Sequence, residues 1–175
     1  MKRVHVIAIV VATFIVLGLA GLVIVMTGRV LTAMTGAPRP ESPPASFELR
    51  PVLEESSVPC APGTVAALGG SSCYKLGQGM ADIRAEKATA AMSYGTTWTV
   101  QVTLNETDGP TFSDLTSRLY QLPAPRNKLA VVVDGKVITA PTITQQIPGR
   151  VLEISGALTQ QTATDLARRL VAAPN

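Results

Sequence analysis

The sequence predicts an α+β protein with one N-terminal transmembrane helix and a small, mainly antiparallel sheet that two helices cover on one face. An apolar run fills the start of the 175-residue chain, alternating apolar residues mark later strands, and two further segments place apolar residues at helical spacing. A proline-rich stretch separates the apolar run from the rest. We therefore expect an anchor at residues 1–30, a linker at 31–46 and a folded domain at 47–175.

The apolar run covers residues 4–26 and contains one ionisable side chain, His5. As a helix these 23 residues would rise about 35 Å, which exceeds the roughly 30 Å hydrocarbon core of a bilayer. A cleaved signal peptide is the alternative, but its apolar region is shorter, and no clear small-residue cleavage motif follows this run. The sequence therefore predicts that residues 4–26 contact the lipid bilayer as a single membrane span.

The net charge of +3 comes entirely from residues that flank this run. From residue 40 onward, 11 basic residues stand against 12 acidic ones, which leaves the folded part at −1. This balance argues against a nucleic-acid partner, because nucleic-acid-binding domains carry a basic patch. Lys2 and Arg3 precede the run and Arg29 follows it, so the positive-inside rule predicts a cytoplasmic N-terminus and an extracytoplasmic C-terminal domain.

The linker and the first part of the domain are rich in proline. Residues 33–46 include four prolines, which predict a semi-extended stalk. Residues 47–53 predict an edge strand, because Pro51 cannot donate a hydrogen bond to a neighbouring strand. Residues 54–72 are rich in glycine, serine and proline and predict a loop.

Cys60 and Cys73 bracket this loop, with twelve residues between them. Two cysteines outside the cytoplasm usually pair, so we expect a structural disulfide. A metal site is the first alternative, but it needs more ligands than two thiols, and no histidine follows His5. A redox pair is the second, but its cysteines usually stand only two residues apart.

Four further segments predict strands. Residues 96–104 alternate between apolar and polar side chains, which is typical of a half-buried strand. Residues 128–133 predict a buried strand, and Asp134-Gly135 predicts a tight hairpin turn into a returning strand at 136–139. A short strand is expected at 151–155.

Two segments predict helices. The first is expected to begin near Thr111, with Asp114 completing a capping box. Its apolar face comprises Phe112, Leu115, Leu119 and Leu122. The second is expected to begin after Thr159 as its N-cap. Its apolar face comprises Ala163, Leu166, Ala167, Leu170 and Val171.

No pattern in the sequence indicates an enzyme. The folded part has no histidine, which excludes Ser-His-Asp and Cys-His arrangements. Its carboxylates are scattered over turns and caps without the spacing of a metal or acid–base site. The glycine-rich residues 69–72 lack the lysine of a phosphate-binding loop. We therefore predict no catalytic residues, no metal site and no cofactor.

Residues 127–141, NKLAVVVDGKVITAP, resemble the head of the large extracytoplasmic domain of SecD. SecD is a membrane subunit of the bacterial Sec protein-export machinery. Residues 47–53 and 73–77 look like actinobacterial versions of that head, so that the resemblance covers about residues 47–173. Further matching residues are Ile154, Ser155, Gly156, Thr159, Ala163, Leu166 and Ala167.

The resemblance implies a fold and no catalytic set. SecD has six membrane helices with carboxylates that couple proton flow, whereas residues 4–26 contain no Asp or Glu. Together, the single predicted span and the resemblance imply a non-enzymatic protein-binding module of the bacterial plasma membrane. The resemblance implies that this module is accessory to Sec-dependent export and contacts the Sec translocon. The alternative is a small accessory subunit of another membrane or envelope complex that reuses the head fold. A receptor for a small ligand would need a pocket with convergent polar groups, which the sequence does not indicate.

Overall fold

The computed structural model describes residues 43–93 and 95–171, all of which belong to one unit, Ser42–Asn175. The expected anchor at 1–30, the bilayer contact at 4–26 and most of the linker lie outside the described residues. No helix in the described part of the chain is both long and apolar enough to cross a bilayer. The elements are β1 (Phe47–Ser57), β2 (Val65–Ala66), β3 (Ser72–Leu76), β4 (Ala85–Ser93), β5 (Thr97–Leu104), α1 (Asp108–Leu119), β6 (Leu129–Val133), β7 (Lys136–Thr139), β8 (Val151–Ile154) and α2 (Gln160–Val171).

The described strands form two sheets, where the sequence predicted one. The first sheet has the order β2-β3-β1-β6-β7, and the second has the order β4-β5-β8. All pairings between these strands are antiparallel. Both sheets and both helices contribute to the main core, whose fully buried side chains include Phe47, Leu49, Val100, Val102, Leu104, Phe112 and Ile154. The antiparallel α+β class is therefore confirmed, and the division into two sheets is a result of the structure.

The first sheet curls until its two ends meet. Beyond β2, Ala67 forms a parallel bridge with Val137 of β7. The Leu68 amide donates to the Val137 carbonyl oxygen at 2.7 Å. A separate small core fills the inside of this barrel and comprises Val52, Tyr74, Ala130, Val132 and Val137. One strand can serve both cores because successive side chains point to opposite faces of a sheet.

The position of β1 corrects the edge-strand prediction, since β1 lies between β3 and β6. Residues 47–51 pair with β6, and the chain from Val52 onward pairs with β3. Pro51 stands where β1 changes partner, and its carbonyl oxygen accepts a bond from the Gly77 amide at 2.9 Å. A central strand tolerates this proline because one ladder ends at that residue.

No pattern in the sequence predicted β4, which contains no valine, isoleucine or aromatic residue. It is a strand because it pairs with β5 along its length, from Ala85 opposite Leu104 to Ser93 opposite Thr97. Such pairing outweighs the weak strand propensity of alanine. Residues 54–57, expected in a loop, extend β1 in the same way by pairing with β3.

Helix α1 begins at Asp108, three residues before the predicted start. The Asn105 Oδ1 atom accepts hydrogen bonds from the amides of Thr107 (2.9 Å) and Asp108 (2.8 Å). Pro110 lies in the first turn, where a missing amide costs no helical hydrogen bond. Thr111 is therefore an exposed residue inside the helix, and the predicted capping box is wrong.

Helix α2 begins where the sequence predicted. Thr159 Oγ1 accepts from the Thr162 amide at 3.2 Å, and the Thr159 amide donates to Thr162 Oγ1 at 2.8 Å. This is a reciprocal capping box in which threonine takes the place of the usual glutamate. Val171 is 43% exposed, so its predicted place on the buried face is wrong. The buried face comprises Ala163, Leu166, Ala167 and Leu170.

Candidate functional site

The structure joins Cys60 and Cys73 in a disulfide, with an S–S distance of 1.98 Å and a Cα–Cα distance of 5.4 Å. Cys73 is fully buried in β3, whereas Cys60 lies in the exposed loop that follows β1. The bond therefore ties this loop to the first sheet. It uses both cysteines of the chain, so neither is a free thiol that could act as a nucleophile or metal ligand.

The charged side chains that meet in the described residues form surface pairs. The pairs are Glu48–Arg50, Glu54–Lys75, Glu55–Lys128, Glu86–Arg150, Asp165–Arg168 and Asp134–Arg169. An exposed pair of this kind contributes about 0–1 kcal/mol. No group of three or more potential metal ligands occurs within residues 43–93 and 95–171. Glu48–Arg50 lies within β1 and Asp165–Arg168 within α2, whereas the other four pairs each join two different segments of the chain.

Asp134, in the turn between β6 and β7, contacts two other segments of the chain. It has a φ of 50° and is followed by Gly135 with a φ of 73°, as the predicted tight hairpin turn requires. Its Oδ1 accepts from the Ser46 amide at 3.1 Å, and its Oδ2 accepts from the Arg169 guanidinium at 2.7 Å. Arg169 Nε also donates to the Pro43 carbonyl oxygen at 2.8 Å. We call this arrangement the entry junction.

The entry junction was not predicted from the sequence. Its members lie 35, 88 and 126 residues apart in the chain, so no local pattern brings them together. The turn role of Asp134 could be recognised from the Asp-Gly pair, but its second role depends on where α2 ends. The junction fixes the position at which the described chain enters the domain.

The outer edge of β4 is the candidate interaction site. In the second sheet β4 has β5 on one side and no described strand on the other. Along an edge strand, every second residue points its amide and carbonyl groups away from the sheet. No backbone hydrogen bond from the described residues outside the sheet reaches residues 85–92. Among the described residues, these outward groups therefore have no backbone partner.

The charges of β4 are confined to its first part. Glu86, which pairs with Arg150, and Lys87 lie at an irregularity in the pairing with β5. Residues 88–93 carry no charge and no proline, and Met92 is 51% exposed. Sequence analysis missed this site because it did not predict the strand that forms it.

The described residues thus form a small, disulfide-bridged α+β domain that is built from two antiparallel sheets. Residues 77–174 match the family model described as SecDF, P1 head subdomain. The match covers more than half of the 175 residues. The chain belongs to the SecDF P1 head subdomain family, which confirms the resemblance seen in residues 127–141.

Two relatives are protein translocase subunits SecD. That of Streptomyces coelicolor is 36% identical over 73 residues, which cover 42% of this chain and 13% of the relative. That of Desulfurispirillum indicum is 38% identical over 68 residues, which cover 39% of this chain and 12% of the relative. The chain thus matches only a small part of the length of either subunit.

Two solved structures share the fold. One is a crystal structure of SecDF in the super-membrane-facing form, with a TM-score of 0.54 and 21% identity; the match covers 73% of this chain and 18% of that chain. The other is described as a membrane component SecDF that enhances protein export, with a TM-score of 0.55 and 21% identity. That match covers 74% of this chain and 63% of the other. At this identity the likeness shows a common fold.

Proposed function

We propose that this chain is a non-enzymatic, membrane-anchored module that binds polypeptides beside the Sec export machinery. The observation that carries the proposal is the match of residues 77–174 to the SecDF P1 head subdomain. The relatives that share this region are translocase subunits, and one structural neighbour is described as enhancing protein export. Because the chain matches a small part of those subunits, only the role of the head is carried over.

The proposed layout has an anchor at 1–30, a linker at 31–46 and an extracytoplasmic head at 47–175. The absence of Asp and Glu from residues 4–26 argues that this segment does not relay protons, so the head would act by binding. The Cys60–Cys73 disulfide suits a location outside the cytoplasm, because disulfides persist in oxidising compartments.

The test is a tagged pull-down of the full chain from native membranes in mild detergent, with the Sec translocon subunits quantified by mass spectrometry. Two control chains separate the parts: one keeps residues 1–46 and lacks the head, and the other carries an unrelated single span in place of residues 1–30. We expect Sec subunits to be enriched with the full chain and with the exchanged anchor, and to fall to background without the head.

Enrichment of a different membrane complex, with Sec subunits at background, would contradict the proposal and favour the accessory-subunit alternative. The topology is tested separately by adding protease to intact spheroplasts that express a C-terminally tagged chain. We expect the tag to be lost, because the head lies outside the cytoplasm. Full protection of the tag would reverse the proposed orientation.

A further inference from the structure

We propose that the outer edge of β4 binds an extended segment of polypeptide, which adds to the second sheet as a fourth strand. The class of ligand rests on the proposed function, and the place rests on the geometry of the edge. In strand addition, the main chain of the ligand supplies the hydrogen bonds that a neighbouring strand would make.

The strand is held ready for such pairing. It is nine residues long, so at about 3.3 Å per residue its edge extends roughly 30 Å. Pairing with β5 holds one side of β4, and α2 packs against both strands. Ala88 and Ala90 are half-buried against the main core, which fixes the strand from behind. A fixed strand makes a better template than a loop, because less backbone entropy is lost on binding.

Most of this edge lacks the features that protect natural edge strands. Such edges are shielded by charges, prolines, irregular pairing or shortness. In β4 the charged residues Glu86 and Lys87 and the irregular pairing occur together at the start of the strand. Residues 88–93 have none of these features. About 20 Å of regular strand edge is therefore open for pairing.

The opposite edge of the same sheet is different. Strand β8 has only four residues and carries Glu153 near its centre. Just after it, Gly156 lies against β7: a Cβ built there would be 3.1 Å from the Ile138 carbonyl oxygen. A short edge with a charge and a crowded end is a poor template, so the second sheet has one suitable edge among its described strands.

The side chains along the open edge indicate how a ligand would be recognised. Residues 88–93 are alanine, threonine, alanine, alanine, methionine and serine. These small, uncharged side chains form no charged contact that would select acidic or basic ligands. Met92, opposite Trp98, adds a flexible apolar contact at one end. Recognition through the backbone would accept segments of many sequences, which is what a binder of exported chains requires.

A second copy of this chain is the less suitable occupant. A stable dimer buries about 800 Å² on each partner. Six residues with mostly one- to three-atom side chains offer a narrow strip, and such a strip suits transient binding of a flexible segment. The edge therefore fits a polypeptide that is held briefly and released.

The test compares two double variants of the full chain in lipid nanodiscs. T89K/A91K places two lysines on the open edge, at positions whose side chains are exposed. T97K/Q101K is the matched control: it adds the same charge at exposed positions of β5, the middle strand of the sheet. The probe is a fluorescein-labelled polypeptide that is reduced, carbamidomethylated, unfolded and close to neutral, and fluorescence anisotropy gives its Kd.

We expect the edge variant to bind the probe about tenfold more weakly than the wild type. This corresponds to about 1.4 kcal/mol, because a strand that adds beside two lysines restricts and partly desolvates their charged side chains. The control should stay within about twofold of the wild type, and urea unfolding should show that both variants are folded. Equal binding by the edge variant and the control would overturn the β4 site while the proposed function stands. No binding of the probe by the wild type would overturn the proposed function itself.

Hydrogen exchange provides a second measurement. In the free chain, the outward amides of residues 88–93 should exchange rapidly, and the probe should protect them. Protection of these amides without the probe would mean that another segment of the chain or a second copy covers the edge, and it would overturn the proposal.

Discussion

At Gly79 the chain passes so close to β1 that no side chain can be accommodated. A Cβ built there would lie 2.1 Å from the Leu49 carbonyl oxygen and 2.8 Å from the Arg50 Cα. Leu49 and Met80 exchange two backbone hydrogen bonds of 2.9 Å, which hold the two backbones at this separation. Glycine is therefore required at this residue by close backbone approach.

The substitution G79A should destabilise the domain by about 4 kcal/mol or more, as expected for a core change that forces two backbones apart. G135A is the comparison: Gly135 has a φ of 73°, and a Cβ added there would meet nothing within 4 Å. It should therefore cost only about 1–2 kcal/mol for the left-handed backbone conformation. Urea unfolding followed by the fluorescence of Trp98 measures both. A smaller loss for G79A than for G135A would contradict the close-approach explanation.

Helix α1 begins within a stretch whose sequence is typical of a turn. The stretch NETDGP at residues 105–110 reads as a turn, yet Asn105 caps a helix that begins within it. The helix gains its first turn because Pro110 is compatible with that position. A start capped by Asn105 and a start at Thr111 predict opposite effects on stability for alanine substitutions of these two residues.

N105A should cost about 1–2 kcal/mol of stability, because two amides at the helix start lose their acceptor. T111A should change stability by less than about 0.5 kcal/mol, because Thr111 is exposed and alanine is a good helix former. Circular dichroism during thermal unfolding of both variants measures the difference. The reverse order of effects would restore the start at Thr111.

The disulfide closes the segment between β1 and β3 into a loop. Cys60 and Cys73 are 13 residues apart in sequence. Closing a loop of this length should stabilise the domain by about 3 kcal/mol in the chain-entropy model. We expect reductant to lower the urea midpoint of the wild type, and the C60S variant to have the lowered midpoint with or without reductant. C60S is the suitable variant because Cys60 is exposed, so the serine hydroxyl meets solvent, whereas Cys73 is buried. Free thiols found by mass spectrometry in the protein purified without reductant would contradict the bond.

For the described domain as a whole, the entry junction connects its first and last segments. Arg169, in the last turn of α2, holds the Pro43 carbonyl oxygen and the Asp134 carboxylate. The Ala45 amide also donates to the Arg169 carbonyl oxygen at 3.1 Å. Residues 43–46, the last part of the proposed linker, are therefore held against the domain.

R169A should lower stability by about 1–3 kcal/mol, because it removes two charge-assisted hydrogen bonds from a side chain that is 21% exposed. R168A is the neighbouring control: Arg168 is 61% exposed and pairs with Asp165 on its own helix, so its loss should cost less than about 0.5 kcal/mol. R169A should also speed hydrogen exchange at the Ser46 amide. Equal effects of the two variants would show that the junction does not hold the entry segment.

Local patterns in the sequence determined those elements whose signals lie within a few residues of one another. The alternation at 96–104 predicted β5, the Asp134-Gly135 pair predicted the β6–β7 hairpin, and Thr159 predicted the start of α2. The resemblance at 127–141 predicted the family. These predictions succeeded because turn geometry, capping and side-chain periodicity depend on neighbouring residues.

Only the tertiary structure decided which strands are neighbours. Alternation shows which face of a strand is buried, but it does not identify the partner on either side. The central place of β1, the closure of the first sheet through Val137, the existence of β4 and the entry junction all depend on residues far apart in the chain. The candidate site also depends on tertiary structure, because β4 is an edge only if no strand pairs with its outer side. Sequence periodicity carries no signal for that, and the open edge of β4 is therefore visible only in the folded domain.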